Sequence, residues 1–211
     1  MLNDFIKDFK KSRFYDLPFS GYDVAMIYVA GSQLYGARDD RSDYDLIVLV
    51  HGDCRNEPNE YLTYKGKKVH WYWRNIDTFI ETGNTYSMRY YGNLLFGYIS
   101  DDCIIYKNEK YADKINYLLE HKHEIALNGA KLFYESQKRL VESICEKSRI
   151  DEQDYTKYLG HLCVTSYYVL GETIDNEIVL NAKRIRWQAV SDEIKTKIIE
   201  RLRLLKKWAT T

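Results

Sequence analysis

The chain has 211 residues, room for one mid-sized domain or two small ones. With 45% apolar residues it can bury a core without disulfide or metal staples. Its 31 Lys and Arg balance 31 Asp and Glu, which argues against a dedicated polyanion binder and leaves only a local basic patch.

The longest apolar stretch, Val24 to Ala30, is far below the roughly 20 residues that span a bilayer, so no membrane partner is expected. Acids at Asp4 and Asp8 and the lack of an apolar core rule against a secretory signal at the N-terminus. Cys54, Cys103, Cys145 and Cys163 are widely spaced and form no C-x-x-C pair, which suits a cytoplasmic protein with free thiols. Few prolines and no Gly/Ser tract leave no flexible linker.

Taken in order, residues 1 to 18 read as an amphipathic helix with Phe5, Ile6 and Phe9 on one face and Pro18 as its end. Val24 to Ala30 has the near-continuous apolar pattern of a strand buried on both faces, and so has Asp45 to Val50. A polar loop with Asn56, Pro58 and Asn59 follows. Lys68 to Trp73, rich in aromatics, reads as a third strand. Asp77 is placed to cap a helix over Thr78 to Thr82, and Cys103 to Tyr106 reads as a short fourth strand. Beyond about residue 110 the apolar period becomes helical, with Gly171 as one stop and Ser191 as one start. The expected class is α/β (α+β): a mixed sheet with flanking helices over 1–110, then a helical bundle over 111–211.

Chemistry concentrates in Gly31 to Leu46. A buried strand ends in Gly31-Ser32, where glycine permits close backbone approach and neighbouring N–H groups with the Ser hydroxyl can grip a phosphate oxygen. Asp43-Tyr44-Asp45 opens the next strand, and a period of two puts the two carboxylates on one face with Tyr44 opposite. Carboxylates that close repel unless a cation lies between them, and such hard oxygens suit Mg²⁺. The competing reading is a pair of solvated loop acids. Against it, Asp is depleted in strands, and this pair abuts five apolar residues in a row.

The combination of apolar strand, Gly31-Ser32, spacer and Ser42-Asp43-Tyr44-Asp45-Leu46 resembles the nucleotidyltransferase superfamily typified by DNA polymerase beta. Gly36, Asp77-Thr78-Phe79-Ile80, Gly83-Asn84 and Asn93-Leu94-Leu95-Phe96 are similar to a prokaryotic and phage branch of it. The resemblance spans about residues 22 to 107. It implies transfer of a nucleoside monophosphate from a nucleoside triphosphate to an acceptor, with release of pyrophosphate. It further implies Mg²⁺ (or Mn²⁺) on Asp43 and Asp45, and nucleotide contacts from Gly31, Ser32, Arg41 and Ser42. The acceptor class stays open among a small molecule, a protein and a tRNA or RNA end.

One departure is evident. The family supplies a third acid from the third strand, and the matching position here is His70. His70 is open to two readings, a base or ligand for a softer metal, and a structural histidine. Glu57, Glu60 and Asp77 are the nearby acids in sequence. The missing acid motivates an alternative function: a catalytically degenerate nucleotide-binding or regulatory, antitoxin-like protein.

Weaker signals complete the reading. His121 and His123 would point apart on a helix, as would His161 and Cys163, so neither pair shares a metal. From residue 181 onward nine basic side chains face three acids, and Lys183, Arg184 and Arg186 before Trp187 are expected in a loop as phosphate contacts, Lys183 and Arg184 foremost. Tyr86, Tyr90 and Tyr91 offer stacking surfaces for a base or, alternatively, core positions.

Overall fold

The computed structural model describes residues 2–11, 21–37, 42–52, 61–79 and 87–211. Two compact units emerge, one from residues 1–83 and 95–125 and the other from residues 84–94 and 126–211.

The first unit is built on a five-stranded mixed sheet: β1 (Asp23–Ala30), β2 (Tyr44–His51), β3 (Tyr61–Tyr64), β4 (Lys67–Asn75) and β5 (Ile104–Lys107), in the order β3-β4-β2-β1-β5. β1 pairs antiparallel with β2 and β5, β3 with β4, and β2 runs parallel to β4. The continuous apolar runs are explained by cores on both faces of the central strands. On one face Met26, Tyr28, Ile47 and Leu49 pack with Phe96, Ile99 and Ile115. On the other, Val29, Leu46, Val48 and Trp71 pack beneath Phe5, Ile6 and Phe9 of α1 (Leu2–Lys11). Phe5 stacks on Tyr44 at 4.0 Å between ring centroids, so the residue between the two aspartates anchors the sheet to α1.

The helix expected over residues 1 to 18 is described only as far as Lys11; Pro18 lies outside the described residues. The expected third strand is the fourth in the chain. β3 precedes it, joined through a tight turn at Lys65 and Gly66, both with positive φ. Of the helix expected over Thr78 to Thr82 only residues 78 and 79 are described, as turn and bend, and the Asp77 carboxylate bonds to Lys114 and to His51 Nδ1 (2.6 Å). Ile80 to Tyr86 lie outside the described residues. Two short helices complete the unit, α2 (Ser32–Tyr35) and α4 (Ala112–Glu120). The division between units falls within α3 (Ser87–Phe96) and α5 (Lys122–Lys147).

The second unit is helical. Besides most of α3 and α5 it contains α6 (Tyr158–Val169), α7 (Asn176–Arg184) and α8 (Asp192–Ala209). α6 is its centre: Leu159, Leu162, Cys163 and Val164 are fully buried, and α7 and α8 both pack against it. The cap at Ser191 matches the expected start, and the one at Asp175 opens a helix the sequence reading did not place. Asp175 accepts hydrogen bonds from Glu177 N and Ile178 N at the start of α7, and Ser191 accepts one from Ile194 N at the start of α8. The observed class is thus the expected one, a mixed sheet with flanking helices joined to a helical region. Among the described residues no helix is long and apolar enough to cross a membrane.

Candidate functional site

Antiparallel pairing of β1 with β2 brings the end of one strand to the start of the other. Ala30 is the register partner of Asp45, so Gly31 and Ser32 fall beside Asp43-Tyr44-Asp45 although ten residues separate them in sequence. Gly31 has φ 64 and ψ −149, a conformation that is essentially glycine's alone. A Cβ at this position would stand 2.1 Å from Asp45 Oδ2. Backbone and carboxylate therefore meet with no side chain between them.

The intervening loop is held from within. Gln33, a buried amide on α2, donates from Nε2 to the Asp43 carbonyl oxygen at 3.3 Å. The sequence gives little notice of this residue, because a lone glutamine carries no pattern. Leu34 N also donates to Gly31 O at 3.2 Å, closing the turn at the start of α2.

The parallel pairing of β2 with β4 sets His70 directly opposite Asp45. His70 Nε2 lies 3.5 Å from Asp43 Oδ2, an ion-pair distance beyond a good hydrogen bond. Asp43 precedes the strand, and its side chain is about twice as exposed as that of His70 (43% against 23%). One end of the sheet thus collects Gly31, Ser32, Asp43, Asp45 and His70, with Ser42 adjoining. Tyr72, 40% exposed, follows His70 on the same face of β4, their ring centroids 6.5 Å apart.

Other expected residues lie elsewhere. Asp77 follows the opposite end of β4, beyond Asn75, which pairs with Val50, and is engaged with His51 and Lys114. Arg41, Glu57 and Glu60 are outside the described residues. Lys183 and Arg184 belong to the second unit and form the end of α7, not a loop; only Arg186 and Trp187 fall in the turn that follows. Tyr91 is buried and stacks on His161, so it takes the core alternative, while the side chains of Tyr86 and Tyr90 lie outside the description. His121 bonds through Nδ1 to Tyr117 O at 2.8 Å.

Among the described residues no group of three or more His, Cys, Asp or Glu is gathered closely enough to hold a metal by itself. Two carboxylates at one edge still fit Mg²⁺, which commonly takes one or two protein carboxylates and completes its shell with water and substrate phosphates.

No protein-family model matches the chain, and no curated protein matches it. Among solved structures, a nucleotidyltransferase-like protein from Exiguobacterium sibiricum 255-15 is similar at 12% identity and a TM-score of 0.33, over 96% of this chain and 74% of that one. A superposition that loose is remote, and the functional reading rests on the residues themselves.

Proposed function

We propose that the chain is a metal-dependent nucleotidyltransferase that moves a nucleoside monophosphate from a nucleoside triphosphate to an acceptor and releases pyrophosphate. The observation that carries the reading is the glycine-only turn at Gly31 set against the Asp45 carboxylate. Backbone donors suited to phosphate and carboxylates suited to a hard cation occur there side by side.

Asp43 and Asp45 would hold Mg²⁺ or Mn²⁺. The bound ion would supply charge neutralisation at phosphorus and a lowered pKa for the acceptor hydroxyl. N–H groups of the Gly31-Ser32 turn and the Ser32 hydroxyl would orient the triphosphate, with Ser42 beside the carboxylates. Most of the rate would come from positioning and from stabilising charge on the phosphoryl oxygens. His70, opposite Asp45, would take or hold the acceptor proton through the imidazole that faces Asp43.

His70 also supports a second reading, nucleotide binding without transfer, because an imidazole occupies the place where a third carboxylate would face the pair. The deciding experiment is pyrophosphate release from each of the four nucleoside triphosphates, with Mg²⁺ or Mn²⁺, against small-molecule, protein and tRNA acceptor pools. Metal-dependent release that disappears in Asp43→Asn/Asp45→Asn is the expected result. Nucleotide binding without release in every pool would favour the second reading. Transfer that survives the double substitution would overturn the site. His70→Asp should raise release in Mg²⁺ if the missing carboxylate limits the rate.

A further inference from the structure

Tyr44 stands between the two candidate metal ligands and points to the opposite face of the sheet, into the core beneath α1. There the wholly buried ring of Phe5 lies flat on it, with centroids 4.0 Å apart and planes 9° from parallel. Tyr64 of β3 meets both rings edge-on, Phe5 at 5.1 Å and Tyr44 at 5.8 Å. The Tyr64 hydroxyl donates to the carboxylate of Asp8, about one turn along α1 from Phe5, and Lys65 Nζ lies 3.6 Å from the same carboxylate. Three rings from α1, β2 and β3 thus close on one another, and polar contacts tie the helix to the β3 side.

The backbone does less to hold this segment. The register of β1 with β2 ends at the Ala30–Asp45 pair, so Tyr44 lies one residue outside it and takes its ladder partner, Val69, from β4. Asp43 precedes the strand. Carboxylates gathered on one face repel until a cation joins them. A strand start laddered in this way could relieve that repulsion by turning. Turning would pull the Tyr44 ring out of its stack and expose apolar surface on all three rings. The aromatic stack on one face therefore opposes the charge repulsion on the other. Gln33 Nε2, 3.3 Å from the Asp43 carbonyl oxygen, steadies the same segment from the side of α2.

We propose that Phe5 is a positioning residue for the metal site: through the ring of Tyr44, α1 holds Asp43 and Asp45 in the arrangement that takes a divalent cation. The proposal deepens the transferase reading and rests on it, because it takes the two aspartates as the ligands. Phe5 itself stays on the far face of the sheet and acts only through Tyr44. Replacing its ring leaves every candidate ligand in the chain and removes what keeps them together.

The test is Mn²⁺ binding to the full chain without nucleotide, read from the electron paramagnetic resonance signal of the free ion. Phe5→Leu keeps an apolar side chain and removes the stack, and should weaken binding about two- to tenfold, the worth of one aromatic pair's geometry. If Phe5→Leu does not fold, Phe5→Met, which fills more of the ring's volume, takes its place. Tyr44→Leu should weaken binding alike, and Phe5→Leu/Tyr44→Leu no further than either alone. Tyr44→Phe keeps the ring and should bind as the unaltered chain does. Phe9, on the same helix, packs on Trp71 at 5.3 Å, and Phe9→Leu should lower the melting temperature while leaving Mn²⁺ affinity in place. Asp43→Asn/Asp45→Asn should abolish binding. The proposal is overturned if Phe5→Leu binds as tightly as the unaltered chain, if Phe9→Leu weakens binding as much, or if the losses at positions 5 and 44 add. Any of these, with binding abolished in the aspartate variant, leaves the transferase site standing. No Mn²⁺ binding by the unaltered chain, or binding that persists in the aspartate variant, overturns the ligand assignment itself and this proposal with it.

Discussion

Alanine at position 31 would carry a Cβ 2.1 Å from Asp45 Oδ2 and 3.0 Å from its Cγ. Two costs add. The backbone at φ 64, ψ −149 strains any L-residue by about 1–3 kcal/mol, and overlap with a packed neighbour costs about 1 kcal/mol or more. Gly36 supplies the control, with φ 79, ψ −8 and nothing within 4 Å of its missing Cβ. Its alanine variant bears only the left-handed backbone cost, about 1–2 kcal/mol. We therefore expect Gly31→Ala to destabilise by about 2–4 kcal/mol and to exceed Gly36→Ala. The excess should fall when Asp45→Ala is added, with a coupling of about 0.5–3 kcal/mol between positions 31 and 45. Urea denaturation of the single and double variants measures each quantity. Equal costs at 31 and 36, together with additivity between 31 and 45, would refute the close approach on which the site is built.

Other predictions concern the two units separately. Asp154, 5% exposed, accepts from Lys147 Nζ and from Asp151 N, both at 2.9 Å, so Asp154→Ala should cost about 1–3 kcal/mol in a denaturant melt. Asp77 is held below its ordinary 3.8, first by Lys114 and then by His51. That carboxylate's contribution is complete above 3.8 and is lost as pH falls through the lowered folded value, so Asp77→Asn should flatten the acid limb of a stability–pH curve; an unchanged limb would contradict the ion-pair assignment. Burial pushes the Cys163 thiol up to about 12, and alkylation at pH 8 mapped by mass spectrometry should leave it unmodified until the helical unit unfolds.

The strands that position the candidate site are the most legible part of the sequence. Val24 to Ala30 and Leu46 to Val50 show continuous apolar runs because α1 covers one face of their sheet and a second core the other. The pairing of Ala30 with Asp45 follows once those strands are neighbours joined by a short connection. By contrast, β3 is four residues long and gives too brief an alternation to stand out from the polar loop before it. Its register with β4 depends on the turn at Lys65-Gly66, where a lysine takes φ 48, a conformation residue type does not announce. The Asp77 carboxylate bonds to Lys114 and His51, partners 37 and 26 residues away that no local pattern announces. Lys183 and Arg184 look like loop residues beside Trp187, but the Asp175 cap starts a helix whose last turn favours basic side chains.

Both rims of the sheet are formed by strands of four residues, β3 and β5. A rim is where unpaired N–H and C=O groups invite another chain to add a strand. Here the foothold on either side is only four residues long. A lysine borders each, Lys65 in the turn after β3 and Lys107 at the end of β5. An incoming strand would gain few ladder hydrogen bonds and would meet a positive charge at either rim. The long, strongly apolar β1 and β2, the segments most prone to self-association if exposed, lie inside the sheet, β1 between β2 and the short β5 and β2 between β1 and β4.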